Sequence, residues 1–168
     1  MSAAADDAQL VEERIARSMQ AAVYGTILTL SLVALASEYQ KDPLRVMASV
    51  LATQIVFYVA HVYAGQVGVR LATHQPPTWA QLKRVALDEW PLLAAAGPPC
   101  LVLLIGGVSP LKDSTSENLA LWLGVATLFL YGIRLGRAEG RTVPGIAATA
   151  VINALFGVVV VVLKVIAH

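Results

Sequence analysis

The last apolar run of the chain, Val143 to Ala167, carries a single charged residue, Lys164. Four more apolar runs precede it, at about Met19–Ser37, Leu44–Ala72, Val85–Val108 and Asn118–Leu135. A bilayer-spanning helix needs about 20 such residues, within a range of about 17–25. In lipid, every main-chain N–H and C=O must be paired inside the segment, so a span is either a helix or part of a closed barrel. No alternating barrel pattern occurs here. The expected fold is therefore all-α: a polytopic bundle of five spans forming one transmembrane domain over residues 1–168.

Composition agrees. Hydrophobic residues make up 57% of the chain and charged residues 14%, against about 45–50% and about 25% in soluble domains. The net charge of +1 argues against a nucleic-acid partner. With Cys100 as the one cysteine, no intrachain disulfide or thiolate metal site can form. The first residues mix Asp6, Asp7, Glu12 and Glu13 with Arg14 and Arg17, a poor signal-peptide start. They predict a short amphipathic helix followed by an uncleaved span, although "ALAS" at 34–37 imitates a cleavage site.

Helix-start chemistry supports the boundaries. Asp42-Pro43 offers an N-cap with proline in the first turn. Thr78 with Gln81, and Ser114 with Glu117, have capping-box spacing. Thr142, followed by Pro144, opens the last span, and Gln75-Pro76-Pro77 closes the second. Eight of the twelve Lys and Arg residues fall on the side of the N-terminus and the second and fourth loops. The excess predicts a cytoplasmic N-terminus and an external C-terminus in the inner (cytoplasmic) membrane.

The second run breaks its apolar pattern in "FYVAHVYAGQ", residues 57–66. At about 100° per residue, Gln54, Tyr58, His61, Gly65 and Gly68 share one arc of the helix. Tyr63, Gln66 and Arg70 take the other side. A helix polar on two faces is expected at the centre of the bundle. His61 has two readings: a titrating group on a proton or ion path, or a neutral ring hydrogen-bonded across a helix interface. Bis-histidine haem would need a second histidine at the same depth, and His74 and His168 lie near segment ends. No cofactor or metal is expected.

Asp88 and Glu89 in "DEWPLLAAAGPPC" stand at the inner mouth of the third span. Pro98-Pro99 removes donors for the carbonyls of Ala94 and Ala95 and forces a kink near mid-span. Arg134 approaches from the fourth span, and an ion pair with a carboxylate would close a polar vestibule with His61. Gly132 and Gly136 in the fourth span, and Ala150, Ala154 and Gly157 in the fifth, permit close helix approach within the chain or between copies. No phosphate-binding loop, H-E-x-x-H or nucleophile elbow is present. An intramembrane enzyme would need a second catalytic residue beside His61.

"VAHVYA" at 59–64, "DEWP" at 88–91 and the closing "LKVIAH" resemble an uncharacterised group of small polytopic membrane proteins of actinobacteria. The resemblance implies the architecture and brings no activity. It also implies that His61, Tyr63, Glu89, Trp90, Lys164 and His168 belong to the group's pattern. From the residues themselves, the expected function is a proton or small-ion channel or transporter, embedded in lipid as a homo-oligomer. The alternative is a non-catalytic assembly factor or accessory subunit that meets a membrane-protein partner.

Overall fold

A computed structural model describes residues 2–76, 78–109 and 113–167; of residues 2–13, Thr73, Asp113 and Ala167 only the backbone is described. Pro77, Lys112 and His168 lie outside the described residues. Six helices, and no strand among the described residues, build the fold: α1 (Ser2–Tyr39), α2 (Pro43–Thr73), α3 (Trp79–Ala94), α4 (Gly97–Val108), α5 (Asp113–Ala138) and α6 (Val143–Ala167). Four of them, α1, α2, α5 and α6, are long and apolar enough to cross a membrane. The α3–α4 pair, bent by 45°, passes the same test only together, and the number is five where that pair counts as one broken span.

The amphipathic N-terminal segment runs into the first span without a break, so both belong to α1. The Asp42 side chain caps α2 by accepting from Leu44 N–H, with Pro43 in the first turn. Thr78 and Gln81 form a reciprocal capping box at α3. Its helix begins at Trp79, so the interfacial turns ahead of Val85 are continuous with the span. α5 starts at Asp113, which puts Ser114 inside the helix and frees Glu117 for a different partner, Lys164.

The centre of the bundle belongs to α1 rather than α2. α1 packs on α2, α3, α5 and α6, and its Leu30 and Val33 are fully buried. α2 leaves Ile55, Val56, Val59 and Tyr63 exposed. Gln54 and Tyr58 instead find main-chain partners on the inward side. Thr26, Thr29 and Ser37 of α1 can sit in an apolar core because their hydroxyls donate to carbonyls of their own helix: Ala22, Gly25 and Ala34. Cys100 joins the same core, between Ala96 and Leu103.

Lipid is as apolar as a leucine side chain, so close van der Waals contact must supply much of the helix association. Glycine makes that contact possible. Leu30 fits against Gly124 of α5 and Gly157 of α6, where a Cβ on Gly124 would overlap it. At Gly132 a Cβ would come within 2.5 Å of Ala150 Cα, and at Gly136 within 2.9 Å of Ile146 Cα. With Glu117 opposite Lys164, these contacts set α5 and α6 in an antiparallel register along their length. The small-residue faces of these two helices therefore meet inside one chain, with Ala150 fully buried and Ala154 half-buried. Asn153 bonds Thr149 O within α6.

Gly132→Val should destabilise the protein by about 1–3 kcal/mol through overpacking. Gly68→Ala, at an exposed position with nothing within 4 Å of its Cβ, should stabilise it by about 0.5–1 kcal/mol. Thermal unfolding of both variants in one detergent checks the contrast.

Candidate functional site

The break between α3 and α4 has a local cause. Pro98 and Pro99 stand in the first turn of α4, where a missing N–H costs nothing within the helix. α3 can therefore not continue through them. The chain tightens instead: Ala95 N–H reaches Pro91 O at 3.0 Å, but Ala96 N–H turns to Leu93 O at 3.2 Å. The carbonyl of Leu92 is passed over. It sits midway along the α3–α4 pair, at a fully buried residue.

Gln54 of α2 takes that carbonyl. Its Nε2 donates to Leu92 O at 2.7 Å and lies 3.4 Å from Gly25 O of α1. Gln54 and Leu92 are both fully buried. Gly25 is indispensable to the approach, since a Cβ there would collide with the Leu92 carbonyl oxygen. Three helices thus meet through main chain and one amide. The other end of that amide, Oε1, is buried and has no hydrogen-bond partner.

One turn along α2, the Tyr58 hydroxyl donates to Ala86 O of α3 at 2.9 Å. The Tyr58 ring stands edge-on to Trp90, with centroids 6.2 Å apart. Pro91 within α3 removes the helical donor of Leu87 O, one residue beyond the carbonyl that Tyr58 bonds. Next along α2, His61 Nδ1 lies 2.9 Å from Phe57 O. A carbonyl only accepts, so Nδ1 carries the proton and a neutral ring keeps Nε2 as an acceptor. The half-buried ring packs on Tyr24 of α1 at 5.4 Å. At Gly65 a Cβ would meet Val85 Cγ1 at 2.7 Å, so the face continues against α3. Gln66 also turns to α3, its Nε2 3.4 Å from Gln81 O, while Arg70 is exposed.

The arc of Gln54, Tyr58 and His61 is thus one seam, shared with α1 and the broken span. Asp88 lies at its end, paired with Arg14 of α1 at 3.6 Å. Glu89 is half-buried beside it in sequence. Arg134 stands exposed on α5, and the ion pair of Asp88 is with the first helix instead. Sequence reasoning missed Gly25, Tyr24 and Arg14 as members of this group. Periodicity places a residue on a face but does not say which helix the face meets.

A second polar site lies at the opposite end. Lys164 Nζ is 3.4 Å from Glu117 Oε2, and both side chains are only 9% exposed. Lys164 had a visible signal, because a lone charge in an apolar run has to be matched by another element; Glu117 had the spacing of a capping box and no such signal. Gly106 of α4 covers the same turn of α5, lying directly against Ser116. No group of three or more His, Cys, Asp or Glu side chains that could hold a metal ion occurs among the described residues.

Lys164→Met should lower stability by about 3–5 kcal/mol, because it removes the cation opposite a buried carboxylate. The double change Glu117→Leu with Lys164→Met should recover most of that loss. Denaturation of the two single variants and the double variant gives the comparison. Tyr58→Phe, losing one hydrogen bond, should cost about 1 kcal/mol on the same scale.

Comparisons with known proteins give no match: no family model, curated protein or solved structure corresponds to this chain.

Proposed function

We propose that this membrane protein conducts or transports protons or small ions along the seam between α2 and the broken span. The observation that carries the reading is the unpartnered Oε1 of Gln54, a fully buried acceptor at mid-span. Discontinuous helices near the bilayer midplane are a recurrent way to offer polar main-chain groups to a passing ion. Here Leu92 O and Gln54 Oε1 lie together at such a break.

His61 is the proton-carrying element of this reading, its Nδ1 held by Phe57 O. Taking a proton on Nε2 turns its ring into a donor on both nitrogens. Tyr58 stands between His61 and Gln54 and offers a hydroxyl on the same face. Asp88, held by Arg14, sets the charge at the mouth of the seam together with Glu89. Arg134 acts at the same end of the bundle from α5. The Lys and Arg count supports a cytoplasmic N-terminus in an inner membrane. A bundle of this size is taken to work as a homo-oligomer, with the exposed apolar sides of α2 and α6 available to a second copy.

Reconstituted in liposomes, the wild type should dissipate an imposed pH or monovalent-cation gradient. His61→Ala should slow the flux at least tenfold or shift its pH dependence, with helix content and melting temperature near wild type. Absence of flux from folded, inserted protein under all these gradients overturns the reading. A foreign subunit that co-purifies stoichiometrically from native membranes would then favour an accessory role.

A further inference from the structure

At the end of the bundle that carries the N-terminus, α1, α2 and α3 enclose a pocket of about 290 Å³. Arg14 and Arg17 of α1 line it opposite Gln81, Arg84 and Asp88 of α3, with Val69 of α2 on the remaining wall. Three guanidinium groups therefore share the space with one carboxylate, and Arg14 lies 3.6 Å from that carboxylate. Asp88 orients Arg14, and the lining carries more guanidinium than carboxylate.

Guanidinium is planar, permanently charged and weakly hydrated, and its fork of donors matches phosphate oxygens two at a time. Gln81 adds a neutral hydrogen-bonding side chain. The level of the pocket in the bundle also matters. Trp79, one turn before Lys83, is 69% exposed and has the Lys83 ammonium 5.7 Å from its ring centre. Exposed tryptophan beside lysine marks the headgroup layer of a bilayer. From there α3 runs towards the bilayer middle with Leu87 and Trp90 exposed, an apolar surface against which acyl chains can lie. Basic pockets between spans at this depth suit anionic lipid headgroups.

We propose that this pocket binds the phosphate of an anionic phospholipid headgroup, gripped between Arg14 and Arg17 of the first helix and Arg84 of the third. The bound phosphate ties α1 to α3 at the foot of the seam. This holds whether or not the seam conducts.

The test uses the full chain in detergent at fixed ionic strength. Its melting temperature is followed during titration with phosphatidylglycerol, phosphatidylcholine or inorganic phosphate. Phosphatidylglycerol should raise the wild-type melting temperature, and phosphatidylcholine should not. Arg84→Gln and Arg17→Gln, both at exposed positions, should each weaken the apparent lipid affinity about fivefold, the factor expected for one interfacial charge. Arg137→Gln removes an exposed arginine at the same end of the bundle, outside the pocket, and should leave the affinity unchanged. Protection by inorganic phosphate that is lost in Arg84→Gln would keep the phosphate site and overturn its lipid source. Equal weakening by Arg84→Gln and Arg137→Gln, or equal protection by phosphatidylcholine, overturns the site itself.

Discussion

One carbonyl oxygen in the wrong place for a membrane organises half of this molecule. Where the prolines of α4 end the run of α3, Leu92 O loses its donor inside its own helix. An unpaired main-chain group in hydrocarbon costs several kcal/mol. Gln54 removes that cost at 2.7 Å, and everything around the bond has to let the amide reach it. Gly25 must lack a side chain, α2 must turn its polar face inward, and α1 must lie between α2 and α5. Bend, glycine and glutamine are therefore one device, and none has the same value without the others.

The fold was legible in the sequence where the cause is local. Asp42-Pro43 and the Thr78–Gln81 box need only neighbouring residues, and the structure places helix starts at both. The length of the apolar runs likewise reflects the thickness of a bilayer. The third run was readable as bent, because proline acts on its own helix. Pairing was not readable. Asp88 faces Arg14 across α1 and α3, whereas the sequence suggested Arg134. Nothing in either residue's surroundings along the chain distinguishes these partners. α2 was expected at the centre because it is polar on two sides, yet a polar side chain needs only a single neighbour to satisfy it. Small residues were visible on α5 and α6, but their meeting inside one chain depends on a loop short enough to fold the two helices back on each other.

The two ends of the bundle solve the problem of charge differently. At the N-terminal end three exposed arginines line an open pocket, and solvent can share in their neutralisation. At the other end Glu117 and Lys164 are closed off together, each neutralised chiefly by the opposite helix. A pair that is nine-tenths buried adds little net stability, because desolvation of both charges offsets their attraction. It does penalise every arrangement in which the helices slip past one another, and so it fixes register.

That pair also bears on how the chain enters a bilayer. Lys164 is the only charge of α6 and lies 47 residues from its carboxylate partner. Until α5 and α6 lie side by side, α6 carries the charge of Lys164 into hydrocarbon alone, and side by side Lys164 and Glu117 form a neutral pair. α5 and α6 are consequently suited to insertion together as a hairpin after both have been synthesised, a two-helix event rather than two separate ones.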